Sequence, residues 1–259
     1  LLLTALTALA YALPAVAAQR LGEKTARLAM LVAGLLHLWT FAWGLWGDEP
    51  RFGFGPALSV TAWLVLAAYM VERQFFPQLR ALWALASLGS LTVIGAWLFP
   101  GKVLAMDISP WLPLHWALGI ASYGMFAAAV LHASLMSHAE RQIRLAHNGA
   151  IGLPLLTLER LTFRFVIVGF ALLTATLLAG VFFGESLYGS TVGAWKWDHK
   201  TVFSLLSWLT FAFLLMGRAR FGWRGKRAVR VLYLGAGLLL LAYVGSRFVL
   251  EVLLGRTAG

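Results

Sequence analysis

The stretch LTFRFVIVGFALLTATLLAGVFFG, Leu161 to Gly184, is almost continuously apolar over the length a helix needs to cross a bilayer. About 20 residues at about 1.5 Å each cover about 30 Å of hydrocarbon. Comparable runs recur along the chain, whose 259 residues are 61% apolar and 12% charged, with a mean hydropathy of +0.81. That balance is too apolar for a soluble domain of this length. Lipid offers no partner to an exposed N–H or C=O, so the spans must be helices that satisfy their own backbone. The expected fold class is all-α: a polytopic integral membrane helical bundle of about eight transmembrane helices, forming a single transmembrane domain over residues 1–259.

The spans fall approximately at residues 1–18, 26–46, 56–71, 79–99, 111–137, 161–184, 201–217 and 231–250. Alternate loops then divide the charges unequally. One set carries Arg20, Lys24, Arg27, Arg73, Arg80, Arg141, Arg144, Arg160, Arg164, Arg218, Arg220, Arg224, Lys226, Arg227 and Arg230, which is 15 of the 21 Lys and Arg. The other set carries Arg51, Lys102, Lys196, Lys200, Arg247 and Arg256. Cytoplasmic loops are the basic ones, so both termini are expected to face away from the cytoplasm. A re-entrant third segment is the alternative, and it would scramble the asymmetry downstream. The net charge of +11 is therefore a membrane-topology signal rather than a nucleic-acid patch. The chain has no cysteine, so it forms no disulfide and carries out no thiol exchange itself. Leu1 rather than Met stands first, and a short preceding piece is expected.

The segment from Gly184 to Trp208, GESLYGSTVGAWKWDHKTVFSLLSW, is the longest polar, aromatic-rich interruption, and the charge count places its loop outside. The longest inner loop, 138–160, reads as a short amphipathic piece followed by a break at Gly149, Gly152 and Pro154. Histidine inside hydrocarbon is costly unless partnered, and it is the commonest axial ligand of haem iron. Of the six, His138 and His147 read as solvated loop residues. His132 lies near the cytoplasmic end of the fifth span, where its ring could snorkel. His37 sits near the middle of the second span, either buried and neutral against a carbonyl or hydroxyl, or an alternative ligand. His115 lies one turn inside the outer end of the fifth span, and His199 at the outer end of the seventh. Shared depth on one side is what two axial ligands of one macrocycle require. On the face behind His115, Gly119 and Ser122 leave room for close packing or a ring edge. Trp195 and Trp197 could stack on the macrocycle, although Trp is enriched at every membrane interface. Lys196, Lys200, Arg51 or Arg247 could neutralise its propionates; Arg247 also suits a pair with Glu251 one turn on.

LHWALGIASYG (114–124), LERLTFRFVIVGFALLTATLLAG (158–180), GAWKWDHKTVFSLLSW (193–208), GWRGKRAVR (222–230) and AYVGSR (242–247) resemble, in order, the cytochrome c assembly superfamily (CcsA, CcmC and HemX-like). Size and span count are closest to its short YpjD/HemX-like branch. The resemblance implies that residues 110–250 form the assembly core and that the 185–200 loop presents haem outside the cytoplasm. It also implies that His115 is an axial ligand, with Trp195, Trp197 and Asp198 remaining from the family's tryptophan motif. The chain departs from the long members in three ways. No histidine follows Arg247, Met216 and Gly217 replace a histidine before the basic loop, and His199 stands where proline is common.

The function expected is membrane haem handling in cytochrome c or haem-protein maturation, with non-covalent haem b held by His115 and His199 near the outer face of the bacterial inner membrane. Expected partners are the lipid bilayer and other haem-handling or cytochrome maturation membrane proteins, with no nucleic acid. No catalytic constellation is evident, so enzyme activity is not expected. Two alternatives belong to other classes. One is a transporter or accessory protein for metal-ion tolerance, lined by His37 and the Arg247/Glu251 pair. The other is a membrane regulator of tetrapyrrole synthesis acting through the inner loop.

Overall fold

Eight helices and one small strand pair make up the described parts of the computed structural model, residues 2–17, 20–46, 51–75, 81–103, 111–145, 155–182 and 199–245. In chain order they are α1 (Leu2–Ala17), α2 (Glu23–Trp46), β1 (Arg51–Phe52), α3 (Phe54–Phe75), α4 (Leu82–Leu98), β2 (Lys102–Val103), α5 (Trp111–Arg144), α6 (Leu155–Phe182), α7 (His199–Phe221) and α8 (Gly225–Leu240). A π-helical turn, Leu241–Gly245, continues α8. Helices α2, α3, α5, α6 and α7 are long and apolar enough to cross a membrane. The protein is an all-α polytopic membrane bundle. Where a single transmembrane domain was expected, the chain divides into two compact units, Leu1–Met106 and Asp107–Gly259.

In the first unit α1 packs on α2 and α4, and α3 packs on α4 and α2. Close approach of α1 and α4 depends on Gly89, where an added Cβ would lie 2.9 Å from the Tyr11 ring. Polar side chains tie the helices together. Trp63 Nε1 donates to the Gly34 carbonyl at 2.8 Å, Ser90 Oγ to the Ala8 carbonyl at 3.1 Å, and Thr7 and Thr40 share a hydroxyl bond of 2.7 Å. The third span, the one open to a re-entrant reading, is a continuous helix of 22 residues. Strands β1 and β2, absent from an all-α expectation, pair antiparallel in the register Arg51↔Val103 and Phe52↔Lys102. Loop backbone at one end of the unit finds partners in this way. The pairing needs glycine at 53 and 101, since a Cβ on Gly53 would lie 2.6 Å from the Gly101 Cα, and Gly101 has φ +80°.

In the second unit α5 and α6 form the most extensive pair, antiparallel, and α7 packs on both α6 and α8, with α8 also on α5. Ser122 Oγ donates to the Gly169 carbonyl at 3.1 Å, and Gly119 meets Thr176. The Phe126 and Phe211 rings stack with centroids 3.7 Å apart, joining α5 to α7. Ser207 Oγ donates to the Gly235 carbonyl at 2.8 Å, and Tyr123 Oη to the Leu239 carbonyl at 2.5 Å. Small residues and hydroxyls thus supply the attraction that the hydrophobic effect cannot supply between helices in lipid.

Helix ends run past the apolar spans. Helix α5 continues to Arg144, so His138 is helical and exposed rather than in a loop, and α6 and α8 begin six residues before the apolar runs of their spans. His132 does not snorkel. With α5 extending three turns beyond it, the ring is 1% exposed, donates Nδ1–H to the Ala128 carbonyl at 2.7 Å and stacks on Phe165.

The turn between α7 and α8 is tightly built. Gly222 and Gly225 have φ +60° and +55°, and Trp223 N–H donates to the Gly217 carbonyl at 3.2 Å. The Trp223 indole lies directly on Gly217, where no Cβ fits. Gly217→Ala is expected to expel the indole and cost about 1–3 kcal/mol, read as a lowered unfolding temperature of the detergent-solubilised protein.

Candidate functional site

His115 sits on α5 at one end of the α5–α6 seam. The positions along this seam rise together: Ser122 opposite Gly169, Gly119 opposite Thr176, and His115 opposite Gly180, where an added Cβ would be 3.8 Å from the imidazole Cε1. The seam beside the ring is therefore floored by glycine rather than a bulky side chain. The Gly119/Ser122 face that the sequence offered to a ring edge is occupied by α6.

His199 opens α7 and is exposed, and Lys200 follows it half-buried. The level of His199 is set by Trp208, whose Nε1 donates to Thr174 Oγ1 at 2.9 Å and whose ring stacks on Phe170. His199 lies nine residues before Trp208 and His115 is level with the residue six after Thr174, so the two imidazoles differ in depth by roughly 5 Å. They belong to the same unit and the same end of it. Imidazoles are the donors haem iron takes in axial positions, so the chemistry of this donor pair fits that cofactor. Trp195, Trp197, Asp198 and Arg247 lie outside the described residues, as do Lys196, Glu251 and His147.

His37 belongs to the other unit. It is 2% exposed, with Nδ1 3.1 Å from Tyr11 Oη and Nε2 2.7 Å from Ser59 Oγ, so α1, α2 and α3 meet on one imidazole. Tyr11 is itself fully buried with its hydroxyl on this ring, which favours Tyr11 as donor to Nδ1 and Nε2–H as donor to Ser59. Iron coordination at either nitrogen would displace one of these hydroxyls. Tyr11→Phe is expected to cost about 1 kcal/mol through the lost bond and the stranded Nδ1, checked by denaturant unfolding in micelles.

The sequence reading missed a second constellation, at the opposite, arginine-rich end of the second unit. Glu159 of α6, 8% exposed, accepts from Arg218 of α7, and the Arg224 Nε lies 3.7 Å from the same carboxylate oxygen. Arg218 also donates to the Trp223 carbonyl at 3.1 Å and lies over the Phe163 ring, while Arg227 lies over Trp223. A single carboxylate thus joins α6 to the α7–α8 hairpin. Its one signal was Glu159 set among arginines at a span end. A cavity of about 10 Å³, one water in size, adjoins it and is lined by Glu159, Thr162 and apolar side chains of α5 to α8.

Among the described residues, five membrane-length helices, paired polar seams and two imidazoles at one end define a multi-pass helical membrane protein with a histidine-bearing end. Residues 54–254 match the model of the family described as cytochrome C assembly protein, and the chain belongs to that family. It is 32% identical to inner membrane protein YpjD of Escherichia coli (strain K12) over 151 residues, 57% of this chain and 55% of that one. It is 31% identical over 226 residues to an uncharacterized 28.8 kDa protein of Azospirillum brasilense, covering 83% and 82% of the two chains. It is 26% identical to a cytochrome c biogenesis protein CcsA of Prochlorococcus marinus over 247 residues, 80% and 75% of the chains. The match to YpjD thus spans about half of that relative's length. No solved structure matches the chain.

Proposed function

We propose that the protein is a multi-pass protein of the bacterial inner membrane that binds haem b non-covalently through His115 and His199 near the outer face and handles it during cytochrome c maturation. The names of its relatives support the membrane and the pathway, YpjD as an inner membrane protein and CcsA as a cytochrome c biogenesis protein. The observation that supports this pair is that His115 and His199 lie at the same end of one unit, roughly 5 Å apart in depth along α6. Haem, when bound, would supply an iron that takes imidazole ligands. His115 and His199 would hold it, Trp195 and Trp197 would stack on it beside Asp198 of the same motif, and Lys200 or Arg247 would neutralise its propionates. The protein's own part is coordination, orientation and shielding, without bond-breaking chemistry. The sequence has no cysteine, so the thiols of any thioether bond to haem belong to another protein.

The test is a haem and metal analysis of the membrane-extracted protein with its absorption spectrum. One haem b per chain with low-spin Soret and α-bands is expected. A chain without haem that conducts a metal ion would instead favour the transport reading, and a soluble partner lost on replacing 138–160 the regulatory one.

A further inference from the structure

Helix α8 carries one face that changes character along its length. Lys226 and Arg230, four residues apart, are exposed on it; Tyr233 and Leu234 continue it at 40% and 59% exposure, and Leu241 at 48%. Between them an added Cβ on Gly237 would meet nothing within 4 Å, so the surface is open there. The opposite face, with Ala228, Leu232, Gly235 and Leu239, is buried in the unit. Such a stripe, cationic for about one turn and apolar for about the next two, has the polarity of an anionic lipid lying along the helix.

The charge around it is unbalanced. At this end of the second unit Glu140 and Glu159 face Arg141, Arg144, Arg160, Arg164 and the six cations from Arg218 to Arg230. Glu159 is taken by Arg218, with Arg224 near it, and Glu140 lies beside Gly225. Among the described residues Arg220, Lys226 and Arg230 have no acidic partner. A general basic loop explains the number of these charges but not their rigid presentation on a helix pinned by the Glu159 and Trp223 contacts. Phe221, 72% exposed at the end of α7, adds an exposed aromatic ring next to Arg220 in the chain.

We propose that the Lys226–Arg230–Tyr233–Leu234 face of α8 is a binding site for an anionic phospholipid, with the headgroup phosphate on the two cations and an acyl chain along the apolar turns. A soluble anion would leave the apolar half unused. An acidic protein would leave the exposed Tyr233, Leu234 and Leu241 unused.

The experiment is native mass spectrometry of the full chain released from nanodiscs containing equal parts of phosphatidylglycerol and phosphatidylcholine. Phosphatidylglycerol is expected to be retained in preference, and Lys226→Gln with Arg230→Gln to lower that retention by about tenfold, each single change giving an intermediate loss. These exposed changes leave the Glu159 and Trp223 contacts in place. Lys24→Gln with Arg27→Gln removes the same charge from exposed positions of the other unit and is expected to leave retention unchanged. Equal losses in the two double variants, no preference over phosphatidylcholine, or displacement of the lipid by inorganic phosphate would overturn the site. So would unchanged lipid retention together with a loss of polyglutamate binding, which would make the face an acidic-protein surface.

Discussion

His115→Ala is expected to lower the haem retained by the purified protein by about tenfold or more and to remove the low-spin bands from whatever remains. The reason is positional. His115 is backed by Gly180 across the α5–α6 seam, and no other described imidazole lies at that end except His199. His199→Ala is expected to leave a single axial ligand, with a shift toward high-spin absorption and a smaller loss of retained haem, because α5 and α6 remain intact. His37→Phe separates the alternatives, since its imidazole is committed to Tyr11 and Ser59 in the other unit; haem content should not change. Spectra in which His115→Ala and His199→Ala both match the parent protein would remove the ligand pair. Loss of the bands in His37→Phe alone would move the ligand to α2.

The second large effect is expected at Glu159. Arg218→Met removes the cation bonded to a carboxylate that is nearly enclosed, leaving only the exposed Arg224 nearby. A buried charge stripped of its partner costs about 3–5 kcal/mol, and screening by Arg224 and water places this site toward the lower end. Adding Glu159→Leu is expected to return a large part of that loss, because an apolar pair needs no desolvation and the neighbouring cavity is lined mainly by apolar side chains. Unfolding of the four proteins of this cycle in the same detergent gives the coupling directly. A coupling near zero would mean that the bond adds nothing to the packing of α6 against the α7–α8 hairpin.

How much of this was legible beforehand follows from the kind of force behind each feature. The spans were legible because lipid sorts residues by transfer free energy alone, and any run such as Leu161–Gly184 carries that information locally. The helix ends were not. Arg141 and Arg144 continue α5, and Glu159 and Arg160 lie in the first turns of α6, because a helix stops where its hydrogen bonds stop and not where hydrocarbon does. His132 shows the same limit. Its place near an expected span end suggested a ring reaching for water, whereas three more turns of α5 and the Phe165 ring enclose it.

The site divides along the same line. Composition, charge asymmetry and the ordered motifs from Leu114 to Arg247 carried the membrane class, the family and the choice of His115 and His199, since hydropathy and loop charge act residue by residue. Long-range pairing carried the rest. Nothing local in LHLW tells that His37 will be held by Tyr11 from 26 residues earlier and Ser59 from 22 later. Nor does GWRG tell that Trp223 lies on Gly217 while Arg218 reaches Glu159, 59 residues back. Such contacts depend on which helix faces approach closely enough for one hydroxyl, carboxylate or glycine to meet its partner, and that proximity exists only once the helices are packed.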